Sequence, residues 1–199
     1  MLVAGCVTPP VLDEWAPNGV AIDSIAVNDF TLQTSENETW NWELETKDRV
    51  VAVAFLFTNC LDICPVVTYN MNWVASQLTQ DERNETVFLT ITVDPWRDNL
   101  STLDAWKNQT KSNWTHLTTQ SAEEAHPMMN ELESVWQNFG VGLSIETNSS
   151  LARHHPGDYT VNHSTGTVLI DKNGNQRVWW GDNDWVLDLF LEDLRTLLS

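Results

Sequence analysis

The sequence predicts an α/β domain in which a mixed sheet lies between two layers of helices. Strand-like and helix-like segments alternate along most of the chain. Residues 50–57 form a continuous apolar run, which is typical of a strand buried on both faces. Near the C-terminus, two strand-like segments flank an Asn-Gly pair, which indicates a β-hairpin. In sheets of this class, functional sites lie beyond the carboxyl ends of the strands.

Composition limits both the size of the fold and the partners. With 199 residues, of which 42% are hydrophobic, the chain can build one domain with a substantial core. A net charge of -18 argues against binding to nucleic acid or to anionic lipid, because both need basic patches. The acidity is interpreted as a solubilising surface, with an acidic docking surface as the alternative.

The N-terminal residues 1–27 are predicted to be a tether, and residues 28–199 a single folded domain. Val3-Ala4-Gly5-Cys6 resembles a lipobox, in which the cysteine becomes lipid-modified, although a chance tetrapeptide would look the same. Pro9, Pro10 and Pro17 are typical of a linker. Glycosylation sequons, which matter only in secreted chains, begin at Asn37, Asn84, Asn99, Asn108, Asn113, Asn148 and Asn162. We therefore expect a lipid-anchored domain outside the cytoplasm.

The first half of the domain is predicted to contain a hairpin, two buried strands and a helix. Residues 29–33 and 39–44 alternate like the strands of a hairpin. After the buried strand 50–57, Pro65 suits the first turn of a helix that continues to about Gln80. Residues 86–93 form the second buried strand, and a loop with Asp94 and Asp98 follows its carboxyl end.

The second half is predicted to continue the alternation. Helices are expected at residues 100–110 and 121–139, with a short strand at 114–118 between them. Ser121 and Glu124 match a capping box for the second of these helices. Residues 141–158 are interpreted as a long polar loop. The remaining predicted elements are strands at 159–161, 167–171 and 176–180 and a last helix at 182–199.

Two cysteines carry the strongest chemical signal. Cys60 and Cys64 follow the buried strand 50–57 and precede the predicted helix, which places both sulfurs at a helix N-terminus. The helix dipole and the unpaired backbone N–H groups stabilise thiolate at that position. Paired thiolates either exchange electrons with another dithiol or bind a soft metal ion. An inert buried pair is the third interpretation.

Three motifs together resemble the Sco/SenC family, the thioredoxin-fold copper proteins of cytochrome oxidase assembly. The motifs are Cys60-xxx-Cys64-Pro65, Val93-Asp94-Pro95-x-Arg97-Asp98 and His163-Ser164. The resemblance covers residues 28–198. The stretch 161–174 also resembles the active-site strand and turn of a thioredoxin, with Gly166 where a thioredoxin has its cis-proline. The chain departs from the family at Asn162, where aspartate is frequent, and at Leu61, where proline is usual.

The resemblance implies a thioredoxin-like mixed central sheet flanked by helices, with an extra N-terminal β-hairpin and an inserted hairpin near the C-terminus. It implies that Cys60, Cys64 and His163 bind copper, as Cu(I) and with Cu(II) left open. It also gives Asp94, Arg97 and Asp98 a supporting role near the site. The donor chemistry agrees, since thiolates select Cu(I), imidazole suits copper, and structural zinc would need a fourth ligand.

The resemblance further implies a monomeric copper chaperone, tethered to the outer face of the cytoplasmic membrane, that delivers copper to the dinuclear copper site of a haem–copper oxidase subunit. Two alternatives use Cys60 and Cys64 as a redox pair: a thiol–disulfide reductase that acts on the same subunit, and a peroxiredoxin-like thiol peroxidase. His154 and His155 are candidates for an auxiliary copper site, with a solvated loop pair as the alternative. His116 is expected to be an ordinary strand residue, and His126 an exposed one.

Overall fold

A computed structural model describes residues 15–147, 159–164, 166–181 and 183–199. The strands are β1 Val20–Ala26, β2 Thr31–Thr34, β3 Thr39–Asn41, β4 Val50–Leu56, β5 Thr86–Thr92, β6 Thr115–Thr118, β7 Leu143–Thr147, β8 Tyr159–His163, β9 Gly166–Ile170 and β10 Asn175–Gly181. The helices are α1 Trp42–Thr46, α2 Ile63–Gln77, α3 Gln80–Asn84, α4 Leu100–Thr110, α5 Pro127–Asn138 and α6 Leu187–Leu198.

The main sheet is mixed, as the sequence predicts. Its strand order is β1-β10-β9-β4-β5-β6-β2-β3, and β7 pairs with β8 in a separate two-stranded sheet. Strands β4, β5 and β6 are parallel to one another, whereas β9 runs antiparallel to β4. The hairpins β2–β3 and β9–β10 are the predicted N-terminal and C-terminal hairpins. The α/β fold with a mixed sheet flanked by helices is thus confirmed.

Strand β4 supports both layers of the core because its side chains alternate between the faces of the sheet. Val51, Val53 and Phe55 pack in the cluster that contains the buried side of α5. Ala52 packs with α6, and Ala54 packs with the first turns of α2. Fully burying a Val or Phe side chain of this kind stabilises the fold by about 1.5–3 kcal/mol. Because β4 is held in the core on both faces, the start of the loop that follows it is fixed in position.

The folded domain begins earlier than predicted. Strand β1 lies within the range 1–27 assigned to the tether, and it pairs with β10. Upstream of it, the backbone N–H groups of Asn18 and Gly19 donate to the carboxylate of Asp193, at 2.8 and 2.9 Å. Because Asp193 is fully buried in α6, this segment is part of the domain.

Two helix starts differ from the prediction because other residues cap them. Trp42 begins α1 instead of continuing a strand, since the Asn41 side chain accepts from the Leu44 N–H. The predicted capping box at Ser121 is wrong: α5 starts with Pro127, and His126 Nδ1 accepts from Met128 N. Proline is favoured at a first helical position, where its missing N–H costs nothing.

Three further boundaries change. Helix α2 ends at Gln77, and a separate helix α3 follows, capped by a reciprocal pair between Thr79 and Glu82. The predicted long loop 141–158 contains β7; its residues 148–158 lie outside the described residues. The last helix starts at Leu187, after the predicted position 182. Within the described part of the chain, no helix has the length and apolar character needed to cross a bilayer.

Candidate metal centre

The two cysteines meet at the start of α2. After β4 the chain turns through a bond from Cys60 N to the carbonyl of Phe57, 3.2 Å, and enters the helix. Asp62 at the N-cap position makes no capping bond, and the sulfur of Cys60 instead accepts from the N–H of Cys64 at 3.4 Å. Cys64 is fully buried, whereas Cys60 is half-buried and packs against the same core cluster.

This position activates Cys60. A hydrogen bond from the Cys64 side chain, supported by the backbone N–H groups of Asp62, Ile63 and Cys64, lowers the pKa of Cys60 to about 6, although burial opposes the shift. The two sulfurs are not joined by a disulfide in the structure. At neutral pH Cys60 is therefore largely thiolate, the form that attacks disulfides and binds soft metals. The expected effect of the helix N-terminus is present.

His163 lies at the end of β8, on the small two-stranded sheet. Its ring meets the ring of Phe57 edge to face, with 5.6 Å between centroids, and Nδ1 is 3.1 Å from the carbonyl of Ser164. Burial lowers its pKa, which favours the neutral imidazole that binds metals. Phe57 also packs against the cluster that contains Cys64, so this one side chain contacts both the histidine and the surroundings of the sulfur pair.

The three predicted ligands are not drawn together in one cluster. Among the described residues, no group of three or more His, Cys, Asp or Glu side chains is arranged to hold a metal ion. The structure joins Cys60 to Cys64 and brings His163 to the neighbouring Phe57. Binding by all three would need His163 to approach the sulfurs. The other candidates, Cys6, His154 and His155, lie outside the described residues.

Asp98 fastens the cysteine loop to the sheet. Its carboxylate accepts from Thr58 N and Oγ1 and from Thr92 Oγ1, while its carbonyl accepts from Thr118 Oγ1. These threonines lie just after β4 and at the ends of β5 and β6, so one buried residue ties the carboxyl ends of all three parallel strands. Burial raises the pKa of Asp98 to about 6, against the hydrogen bonds from Thr58 and Thr92.

Asp94 and Arg97 fasten the histidine strand. Asp94 is fully buried and accepts from Arg97 Nε and from the hydroxyl of Tyr159, the first residue of β8. Arg97 also donates through Nη1 to the carbonyl of Tyr159 at 3.2 Å, and its guanidinium lies 4.0 Å from the centre of that ring. The Asp94–Asp98 loop thus holds Thr58, two residues after β4, and Tyr159, the first residue of the strand that carries His163.

A sequence model of the SCO1/SenC family matches residues 22–198, nearly the whole described domain. The chain belongs to the SCO1/SenC family. A Stutzerimonas stutzeri protein that is named as a candidate copper-binding protein is 27% identical to this chain over 161 residues. The match covers 81% of this chain and 69% of the relative.

Solved structures share the fold of this SCO1/SenC chain. Apo Sco1 of Thermus thermophilus gives a TM-score of 0.75 at 21% identity, covering 92% of this chain and 97% of the other. Copper-bound ScoI of Bradyrhizobium japonicum gives 0.70 at 19%, covering 86% and 99%. A SCO1/SenC lipoprotein of Bacillus anthracis gives 0.70 at 21%, covering 92% and 100%.

Sequence reasoning missed four residues that contact the candidate site or the strands beside it: Phe57, Thr58, Tyr159 and Trp179. The motifs gave no signal for the first three, because their partners are distant in the chain. Gly166 gave a signal for the fourth. A Cβ there would collide with the indole of Trp179 on β10, so glycine is the residue that fits where a thioredoxin has proline.

Proposed function

We propose that this chain is a copper chaperone, which carries copper on Cys60, Cys64 and His163 and delivers it to the dinuclear copper site of a haem–copper oxidase. One observation carries the proposal: a half-buried sulfur with a pKa of about 6 lies beside a second, buried sulfur at the start of α2. Copper here is the cargo, and the donor set fits it, since thiolates and imidazole are the ligands that copper prefers.

The two sulfurs have different tasks in this proposal. Cys60 is the accessible one, so it makes the first bond with incoming copper and the last bond before release. Cys64, in the first turn of α2, is buried in a cluster with Ala54 and Leu56 of β4 and holds the ion from the core side. His163, neutral because burial lowers its pKa, supplies the third donor when it approaches the sulfurs. A three-coordinate site leaves a free approach for the acceptor's ligands.

The docking face would surround Cys60. Leu61 is 89% exposed and directly follows Cys60, and Trp96 is 41% exposed on the Asp94–Asp98 loop. Large apolar side chains at such exposure are suited to a partner surface. Copper must pass between ligands at close range, so the acceptor subunit would cover this rim. The contact would be transient and stronger for the copper-loaded chaperone.

A second candidate function is reduction of disulfides in the same oxidase subunit. The low pKa of Cys60 favours it, because thiolate attacks disulfides. The two functions differ in their need for His163. His163→Ala should abolish copper transfer to an acceptor peptide and leave reduction of the oxidised peptide near the wild-type rate. If copper transfer survives while reduction is lost, the chaperone is secondary and the reductase is primary. A thiol peroxidase is tested by peroxide consumption with the same protein.

We further propose an extracytoplasmic, membrane-tethered location. The lipobox-like Val3-Ala4-Gly5-Cys6 and the Bacillus anthracis lipoprotein relative support it. Cell fractionation, mass analysis of the N-terminus and cross-linking in intact cells test it together. A membrane fraction containing lipidated Cys6 and a cross-linked oxidase subunit is expected. A cytosolic protein with an unmodified N-terminus and no oxidase partner would refute the location and the delivery role.

A further inference from the structure

The strand that carries His163 is joined to the core by a directional contact at its opposite end. The hydroxyl of Tyr159 donates a hydrogen bond to the fully buried carboxylate of Asp94. Asp94 is itself fixed, because its N–H donates to Thr92 Oγ1 at 3.0 Å and its carboxylate accepts from Arg97. Burial and the Asp94 carboxylate raise the pKa of Tyr159, so the hydroxyl remains a donor at every physiological pH.

Tyr159 and His163 share one face of β8. Tyr159, Val161 and His163 point toward the domain, while Thr160 and Asn162 are exposed. Successive side chains of a strand alternate, so a slip by one residue would turn His163 away from Phe57. Such a slip would be resisted most strongly by a contact that depends on direction.

The other contacts of β8 are less selective. Val161 is buried in the main core cluster, but apolar contact is non-directional. The pairing of β8 with β7 holds it only to another strand of the same small sheet. At its far end, Ser164 exchanges hydrogen bonds with Gly142, at 2.8 and 2.9 Å, next to β7. Among the described residues of β8, only Tyr159 forms a side-chain hydrogen bond to a buried residue at the carboxyl ends of the parallel strands, namely Asp94.

We propose that the Tyr159 hydroxyl, through Asp94, is a positioning device for His163: it sets the register of β8 that presents the imidazole next to Phe57 and the cysteine loop. Arg97 supports it from above the ring and at the carbonyl of Tyr159. Tyr159 would not touch copper. The inference rests on the proposed function only in taking His163 as a copper ligand.

The first test needs no metal. The reduced apo-protein is examined by NMR for the ring protons of His163, whose shifts report the nearby Phe57 ring. Tyr159→Phe keeps the ring beside Arg97 and removes only the hydroxyl. Its His163 resonances should move toward those of an unstructured histidine. The chain offers a matched control, since Tyr69 is its other tyrosine and lies exposed on α2. Tyr69→Phe should leave the His163 resonances unchanged.

The second test uses Cu(II) and the imidazole signature in EPR. Loss of a group that orients a metal ligand costs about 10- to 100-fold in affinity, so Tyr159→Phe should bind Cu(II) about tenfold more weakly and show a reduced nitrogen coupling. Tyr159→Leu, which also removes the ring beside Arg97, should lose more Cu(II) affinity than Tyr159→Phe. Asp94→Asn keeps an oxygen that can accept a hydrogen bond from Tyr159, so it should lose less Cu(II) affinity than Tyr159→Phe. This third variant keeps the inference testable if one of the Tyr159 variants fails to fold.

The outcomes separate this inference from the proposed function. If the Cu(II) EPR spectrum of His163→Ala is the same as that of the wild type, the ligand set is wrong. The NMR comparison of the apo-proteins then still decides whether Tyr159 positions the ring of His163. If His163→Ala removes the nitrogen coupling while Tyr159→Phe matches the wild type in NMR, affinity and EPR, the ligand set stands and the positioning role of Tyr159 is overturned.

Discussion

The two sides of the candidate copper site are built differently. The sulfur side belongs to the central architecture: Cys64, in the first turn of α2, is fully buried in a cluster with β4 residues, and Asp98 ties the preceding loop to three parallel strands. The histidine side belongs to a two-stranded sheet at the periphery, where His163 is half-buried and its strand is anchored at Tyr159.

This difference suggests that the sulfur pair binds copper first and that His163 then completes the set of ligands. A preformed sulfur pair can bind a soft ion without reorganising the core, because Cys60 is already near the thiolate form. The imidazole is carried by a separate two-stranded sheet, and its position depends on the contact of Tyr159 with Asp94. The sulfur pair and the imidazole therefore depend on different contacts, and each can be perturbed by its own substitutions.

The largest effect is expected on the sulfur side. Cys60→Ser and Cys64→Ser should each abolish stable Cu(I) binding, because a hydroxyl is a poor ligand for this soft ion. Metal analysis after anaerobic loading and desalting measures the stoichiometry. Cys6→Ser, which changes the third cysteine of the chain, is the control and should retain full binding. Wild-type stoichiometry in either single-site variant would show that the sulfur pair is wrongly assigned.

The second effect concerns Asp98, which holds the cysteine loop, and the pH dependence of the free energy of unfolding. The pKa of Asp98 is raised to about 6, so its protonation favours the folded state; that contribution is complete below about pH 3.8 and is lost as pH rises through about 6. Between pH 7 and pH 4 the wild type should therefore gain about 2 kcal/mol in free energy of unfolding relative to Asp98→Asn.

Urea unfolding of both proteins at the two pH values measures this difference. His116 acts in the opposite direction, because burial lowers its pKa to about 4 and its contribution is lost as pH falls, but it is present in both proteins and cancels. Asp104→Asn changes an exposed carboxylate of α4 and should show no such difference. Parallel pH profiles for wild type and Asp98→Asn would contradict the assigned environment of Asp98.

A smaller effect is expected at the boundary between the two sides. Phe57→Leu should lower the free energy of unfolding by about 1 kcal/mol and leave Cu(I) binding by the sulfurs intact, while it weakens the contribution of His163 to Cu(II) binding. Phe139→Leu is a matched control, since Phe139 packs on Phe55 in the main core cluster. Equal effects of the two variants on Cu(II) binding would remove any special role for Phe57.

The smallest effect on stability is expected at the rim. Leu61→Ser should change the free energy of unfolding by less than about 0.5 kcal/mol, because the side chain is 89% exposed. It should nevertheless slow copper transfer to the acceptor. Leu44→Ser, at a position 79% exposed on α1, is the control and should leave transfer unchanged. Equal transfer rates for wild type and Leu61→Ser would place the docking face elsewhere.

The sulfur side was predictable from sequence because its signals are local. A continuous apolar run, a following cysteine pair and a proline in the first helical turn identify β4, α2 and the position of Cys60 between them. Helix α4 has the predicted bounds, Leu100–Thr110. In these segments, periodicity, capping and burial all favour the same structure.

The histidine side was less predictable because its contacts are distant and polar. Tyr159 and Asp94 are 65 positions apart, and no periodicity links a tyrosine to a buried carboxylate. Strand β1 escaped prediction for a related reason: Val20 and Ile25 are exposed at an edge of the sheet, so the strand lacks an alternating pattern. At α5, Ser121 and Glu124 match a capping box, yet His126 and Pro127 cap the helix that forms.

The most direct test of the central claim is X-ray absorption at the copper edge of the Cu(I)-loaded protein, compared with His163→Ala loaded in the same way. The account predicts two sulfur ligands and one imidazole nitrogen in the wild type, with the nitrogen lost and both sulfurs kept in the variant. Identical copper environments in the two proteins, or a wild-type site without two sulfurs, would contradict the claim that Cys60, Cys64 and His163 together hold the metal.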